Sequence, residues 1–338
     1  MHLAKRASRK WRSVREFTRG LTHTAHPLLV HIIPTRRCNI DCAYCNEYDQ
    51  VSDPIPLDTM AERVDKLAAL GTSVVAMSGG EPMLHPHLDD IIRRIRRHGM
   101  IAGLITNGYL VSPKRIEALN DAGLDYLQIS IDNVEPDEVS KKSLRLLDKK
   151  LEWLRDYAAF DININSVIGG GIKDPEDART INRRARALGF STSIGIIHDG
   201  AGRLKPLSPP ERDVFEEVTG RISPAWQIAK NLYSGIRGFQ ERLADGKRNR
   251  WWCRAGARYL YICEDGLVHY CSQQRGAPGI PLIEYSVQDI KREFLTPKSC
   301  APYCTIGCVH RVSTMDYWRK PQAGRAYSHT NRSAEPAS

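Results

Sequence analysis

A chain of 338 residues is long enough for about two domains and a sizeable core. Its 41% hydrophobic and 26% charged residues are those of a soluble globular protein, with no apolar run near the ~18 residues of a membrane span and no signal-peptide stretch at the N-terminus. The net charge of +10 points to an anionic partner, but no nucleic-acid motif accompanies it, and no nucleic acid is expected.

Part of that charge is local. Lys5, Arg6, Arg9, Lys10, Arg12, Arg15 and Arg19 stand in residues 1–26 against Glu16 alone. Trp11, Val14, Phe17 and Leu21 recur at three- and four-residue steps, which predicts a short basic amphipathic helix. Such a helix can lie on an anionic membrane or grip an acidic partner. The expectation taken here is the commoner arrangement, with the apolar stripe packed on the body of the protein and the charges solvated.

From Pro27 to His198, apolar runs alternate with amphipathic segments. Strands are predicted at 28–33, 73–78, 101–106, 125–131, 161–168 and 191–197. Helices are predicted between them at 57–70, 87–98, 112–122, 141–157 and 175–188. This alternation means βα units around a parallel sheet. Gly71, Gly99, Gly123 and Gly189 fall at helix ends, where a left-handed cap is needed. Ser112-Pro113 and Asp174-Pro175 read as N-caps followed by proline at the first helical position.

After the first strand comes Cys38-x3-Cys42-x2-Cys45. Thiolates suit zinc, copper(I) or iron–sulfur iron. Structural zinc sites and ordinary four-iron clusters take four protein ligands, so three close cysteines point to a site with one position open. The alternative is a zinc knuckle borrowing a distant fourth ligand. After the second strand comes Gly79-Gly80-Glu81-Pro82. Polar residues share one face of the fourth strand (Gln128, Ser130, Asp132) and one face of the fifth (Asp161, Asn163, Asn165). That pattern predicts a lumen that holds a polar ligand, since an ordinary barrel interior is filled by Val, Ile and Leu.

Together these motifs resemble the radical S-adenosylmethionine (SAM) superfamily: Cys38, Cys42 and Cys45 match its cluster triad, with the aromatic Tyr44, and Gly79 to Pro82 match its GGEP motif. The resemblance implies an α/β fold, a partial (βα)6 TIM-like barrel with a small cysteine-rich C-terminal domain. It implies a [4Fe-4S] cluster on the triad that binds SAM, cleaves it reductively and yields a 5′-deoxyadenosyl radical for hydrogen-atom abstraction. Ser130 and Asp132 match the family's fourth-strand SAM contacts, and Thr106-Asn107-Gly108 matches its third-strand end. The fifth strand departs from the family's G-x-I-x-G-x-x-E pattern, with Asn163 or Asn165 as substitutes. Gly195 and Ile197 are the expected adenine neighbours. An electron donor such as flavodoxin or ferredoxin is the implied partner. Cysteines in a chain without an export signal are expected as metal ligands, in the cytoplasm.

Residues 199–208 read as a Gly/Pro-rich link, followed by helices at about 209–221 and 224–245 that pack on the open side of the barrel. Cys263 and Cys271 flank a predicted hairpin turning at Glu264-Asp265-Gly266. Cys253, Gly266 and Cys271 resemble the opening of the SPASM and twitch domains, and Cys304-Thr-Ile-Gly-Cys308 their closing element. The intervening C-x2-C and the last cysteine of a full SPASM domain are missing. The resemblance implies one auxiliary [4Fe-4S] cluster, with Cys253, Cys271 and Cys308 as ligands and Cys304 or Cys300 as the fourth. Cys263 is then spare, a small buried hydrophobe or a hydrogen-atom donor as in the family's epimerases. Zinc is the alternative metal there. The tail after Tyr327 is expected to be disordered.

The expected domains are a basic extension (1–26), the barrel (27–200), a helical linker (201–250), an iron–sulfur domain (251–318) and a tail (319–338). The expected function is a radical SAM oxidoreductase or maturase in peptide or protein modification, or in cofactor or natural-product biosynthesis. The alternatives are action on a small metabolite or lipid at a membrane surface and, from another class, a non-catalytic zinc-stabilised binding protein.

Overall fold

The computed structural model describes residues 2–198, 204–220, 240–249 and 251–319, with side chains from residue 11 onward. Of the helix expected over 224–245, residues 240–244 are described and helical. Its remainder up to 239, positions 199–203 of the link and the tail after Tyr327 lie outside the described residues.

The alternation read from the sequence folds as βα units. Helix α1 (His2–Thr22) precedes β1 (Leu29–Thr35). Then come α2 (Leu57–Ala69), β2 (Val74–Gly79), α3 (Leu88–Arg97), β3 (Ile101–Thr106), α4 (Pro113–Ala122) and β4 (Tyr126–Ser130). The series continues with α5 (Leu144–Tyr157), β5 (Asp161–Ile168), α6 (Pro175–Ala187), β6 (Ser191–Ile196) and α7 (Pro209–Gly220). The six strands pair in parallel in sequence order, as right-handed βα crossovers require. Each helix from α2 to α6 buries one stripe against the sheet. In α3 it is Leu88, Ile91, Ile92 and Ile95, and in α5 Leu144, Leu147, Leu151 and Leu154. The four glycines expected at helix ends all carry positive φ, and Ser112 and Asp174 accept the N-cap bonds.

The sheet does not stop at the barrel. Strand β7 (Tyr259–Ile262) pairs in parallel with β1, Leu29 facing Tyr259, and β8 (Leu267–Cys271) and β9 (Gln274–Pro281) extend it antiparallel. The order is therefore β6-β5-β4-β3-β2-β1-β7-β8-β9. Helices α8 (Val287–Leu295) and α9 (Gly307–Thr314) follow; α8 starts on a Ser286–Asp289 capping box.

Two apolar cores result. One lies between the sheet and α2–α5 and includes Ile32, Met77, Leu104 and Leu127. The other fills the gap between β6 and β7 and joins Ile194 and Ile196 to Phe215, Leu243, Trp251, Tyr259 and Val309. Gln240 donates to Ile194 O at 2.9 Å, so the region after β6 covers that strand's open edge.

Helix α1 corrects the expectation made for it. It crosses the N-terminal end of the barrel and docks there through polar groups. Arg12 pairs with Asp125 at 2.6 Å, Arg15 donates to Gly99 O at 3.1 Å, and Gly20 O accepts from Arg258. Trp11, Val14 and Phe17 are 70%, 57% and 53% exposed, so the apolar stripe faces away from the body. The reason is steric and electrostatic. A Cβ on Gly20 would lie 2.8 Å from Leu28 Cδ2, so the small and charged side of the helix is the one that can approach. Among the described residues no helix is long and apolar enough to cross a membrane.

Arg258 is fully buried and holds three segments together. It pairs with Asp316 at 2.9 Å and donates to backbone carbonyls of Gly20, His23 and His26. Removing one partner of such a pair leaves an uncompensated buried charge. Arg258→Met is expected to lower the unfolding free energy by about 3–5 kcal/mol in urea titration. A change below about 1 kcal/mol would show that the tie contributes nothing to the docking of α1.

Candidate active site

The triad sits on the loop that leaves β1, and its path is set by the loop that leaves β2. Gly80 N donates to Thr35 O at 3.2 Å and Glu81 N to Arg37 O at 2.9 Å, so the two loops keep pairing beyond the regular ladder. A Cβ on Gly80 would stand 2.2 Å from Arg36 O and 2.3 Å from Arg37 O. Gly79 has φ +114°, and a Cβ there would meet Ile33 Cγ2 at 2.6 Å. Only glycine fits this approach.

Glu81 is fully buried, and burial pushes its carboxyl up. One oxygen accepts from Met83 N at 3.0 Å and Thr106 Oγ1 at 2.8 Å, the other from Asn107 N at 2.8 Å. Both oxygens are thus spent on the chain, joining the second loop to the third. Pro82 is buried and opens the short turn Pro82–Leu84. Asn107 then reaches back, donating to Asn39 Oδ1 at 2.7 Å and to Cys38 Sγ at 3.7 Å.

Each triad sulfur takes a donor from the surrounding chain. Besides the Asn107 contact, Lys141 N donates to Cys42 Sγ and Glu47 N to Cys45 Sγ, both at 3.4 Å. Burial pushes the Cys38 and Cys45 thiols up, so ionisation belongs with metal binding. All nine cysteines are free of disulfides. Three soft donors, each with an N–H aimed at its sulfur, fit an iron–sulfur ligand set.

Tyr44 ties the triad to the fourth strand. Its hydroxyl donates to Asp132 Oδ2 at 2.5 Å, and Ser140 Oγ donates to the same oxygen at 2.8 Å. Lys142 pairs with that oxygen at 3.0 Å, donates to the Tyr44 hydroxyl and stands 4.8 Å from its ring centre. Burial works to lower the Lys142 pKa, but Asp132 and Tyr44 outweigh it and hold the ammonium charged. Asp132 Oδ1 is buried without a hydrogen-bond partner, an acceptor that suits a polar ligand. Lys142 and Ser140 were not singled out in the sequence; Ser140 fell in a loop at the C-terminal end of a barrel strand, and Lys142 fell inside the helix expected from 141, which begins at Leu144.

The polar lumen is present. A cavity of about 780 Å³ runs through the barrel, lined by Gln128, Asn163, Asn165 and Ser193 among others. Asn163 donates to Ser193 Oγ at 2.8 Å, and Ser193 donates to Asn165 Oδ1 at 2.8 Å. Gly195 and Ile197 also line it. Ala76 and Gly103 keep it open on the β2–β3 side. His31 lies in the wall, edge-on to Tyr259 at 5.2 Å, and burial lowers its pKa to about 4. Ser130 is half-buried at the end of β4, opposite Asn165.

The C-terminal cysteines form a second set. Cys253, Cys271, Cys300 and Cys304 lie close enough that every pair among them interacts electrostatically. Burial pushes Cys253 up to about 12 and Cys271 to about 11. Cys308, expected as a ligand, is near Cys271, and its sulfur accepts from the Tyr259 hydroxyl; unlike the other four it lines the cavity, on the lumen side of the set. Cys263 stands apart, beside Arg275 and Glu47. Its Sγ lies within 4.8 Å of ligand atoms on Asp265 and His269. His269 Nδ1, however, accepts from Gly276 N at 2.8 Å, which leaves the ring proton on Nε2, facing Asp265, where a metal would need a lone pair. The two cysteine regions are stitched together by Arg36 with Glu264 at 3.1 Å and by Arg275 with Glu47 at 3.3 Å.

Lys142→Met removes the ammonium and leaves Asp132 buried and uncompensated. In the iron-free protein it is expected to cost about 3–5 kcal/mol of stability. An equally stable variant would show that Tyr44 and Ser140 alone satisfy the carboxylate.

Comparison with known proteins agrees with this geometry. The radical SAM superfamily profile matches residues 32–198. A PqqA peptide cyclase of Methylocella silvestris is 36% identical over 285 residues, 76% of this chain and 71% of that protein. A PqqA peptide cyclase of Gluconobacter oxydans is 36% identical over 103 residues, 30% of this chain and 29% of that protein. The chain thus spans under a third of that relative's length. In fold, the chain resembles Streptococcus suis SuiB crystallised with precursor peptide SuiA, with TM-score 0.55 and 15% identity over 85% of this chain and 73% of SuiB. The chain belongs to the radical SAM superfamily, whose members are enzymes that bind a [4Fe-4S] cluster and SAM.

Proposed function

We propose that this enzyme modifies a peptide or protein side chain, and that Cys253, Cys271, Cys300 and Cys304 hold one auxiliary [4Fe-4S] cluster. The observation that carries the reading is the second thiol set, whose chain neighbours Ser272 and Thr305 line the polar lumen. The relatives named as peptide cyclases support the substrate class.

A cluster on Cys38, Cys42 and Cys45 with SAM bound supplies reductive cleavage and hydrogen-atom abstraction. The chain's own part is orientation and exclusion of water. Asn107, Lys141 and Glu47 point N–H groups at the three sulfurs. Tyr44, Ser140 and Lys142 hold Asp132 so that its free oxygen faces one direction. Gln128, Asn163 and Asn165 offer neutral amide edges that match peptide amides in the substrate, and His31 adds no charge at neutral pH. Electrons come from a small reductase such as flavodoxin or ferredoxin, in the cytoplasm.

Changing Cys38, Cys42 and Cys45 together to Ala is expected to abolish 5′-deoxyadenosine formation under dithionite, and unchanged cleavage would overturn the triad's role. Iron analysis tests the rest. Reconstituted protein is expected to hold about eight irons and the triad variant about four. Cys304→Ala is expected to lose the auxiliary iron, and Cys308→Ala to keep it. Zinc without iron in the triad variant would make the C-terminal set structural instead.

A further inference from the structure

Helix α1 uses the wrong face for an ordinary docked helix. An amphipathic helix on a globular body turns its apolar stripe inward. Here Arg12, Glu16 and Gly20, at successive four-residue steps, face the barrel, and Glu16 is buried. Trp11 and Val14 face outward instead, and Phe17, half exposed, closes the row at its edge, where it also borders the lumen cavity. The helix's single acid, Glu16, is paired with Arg15 at 2.8 Å and Arg19 at 3.5 Å on the inner side. The outward side therefore carries no acid, within a helix that also carries Lys5, Arg6, Arg9 and Lys10.

At the same end of the barrel α3 closes with Arg97, while Arg94 and Arg96 pair with Asp65 and Asp125, and Arg184 of α6 pairs with Asp148 and Glu152. Trp318, 69% exposed, follows two residues after Asp316, the partner of Arg258 beneath α1. A row of large apolar side chains with tryptophan at one end, on a helix whose seven cations outnumber its single acid, is complementary to a layer of phosphates over acyl chains.

We propose that α1 is a membrane-contact helix. It lies flat on an anionic bilayer, with Trp11, Val14 and Phe17 at the boundary of headgroups and acyl chains and its cations on lipid phosphates. The barrel's N-terminal end then faces the membrane. The lumen cavity reaches α1 at Ser13, Glu16 and Phe17, so the bound helix is also one wall of that cavity.

The test uses the full-length reconstituted enzyme in co-sedimentation with vesicles of phosphatidylcholine, with and without phosphatidylglycerol. Binding is expected only with phosphatidylglycerol, and raised salt is expected to weaken it at least tenfold. The double variant Trp11→Glu/Val14→Glu is expected to lose binding while keeping its circular dichroism. Leu146→Glu, the same change at an exposed leucine on α5, is expected to bind as the parent does. No binding by the parent would overturn the proposal. So would equal binding to neutral vesicles, equal binding by the double variant, or equal loss in Leu146→Glu.

Discussion

The structure depends on the close approach of two loops at the C-terminal ends of β1 and β2. Gly79 and Gly80 let the backbone after β2 lie against Thr35, Arg36 and Arg37, nearer than any side chain allows. That contact extends the parallel ladder past its regular end and aims the chain at Cys38. Glu81 then fastens the pair to β3 through Thr106 and Asn107, and Asn107 returns to the Cys38 sulfur. Three strand ends are thereby held in one register. A buried carboxylate accepting three hydrogen bonds is well suited to that task, because any missing partner costs a buried charge its solvation.

A second device fixes the rest of the triad loop. Lys142, Tyr44, Ser140 and Asp132 form a compact polar group in which one carboxylate oxygen takes three donors and the other takes none. Such a group is costly when partly satisfied and rigid when complete. The unfilled oxygen is the feature that suits it to a ligand. The lumen stays open because Ala76 and Gly103 line it at positions where a larger residue would fill the barrel. Strand β7 closes the wall on the other side, and its Tyr259 and Tyr261 carry contacts to Cys308 and Glu47.

Much of this was legible in the chain. The six parallel strands followed from alternating runs with glycine stops, since local sterics at helix ends are written residue by residue. The triad and GGEP were legible because their chemistry demands fixed spacing. The role of Glu81 was not, because a motif does not say whether a carboxylate faces a ligand or its own chain. Lys142 escaped because the helix expected from 141 absorbed it, whereas the chain there is still loop and the helix begins at Leu144. Strand β9 was not anticipated: Gly276, Pro278, Gly279 and Pro281 suit an outermost strand bonded on one side but are not the residues of an ordinary strand. Helix α8 had its signal in Ser286 and Asp289. The face of α1 was misread because periodicity locates a stripe without saying which way it points. The barrel end accepts Gly20 and charges, not Trp11.

The central claim is that the glycine contact between the two loops positions the triad. It is tested most directly by counting iron in Gly80→Ala beside the parent enzyme, both reconstituted anaerobically. The account predicts a loss of about four irons, the content of one four-iron cluster, with the remaining iron unchanged. Full iron content in Gly80→Ala would contradict it.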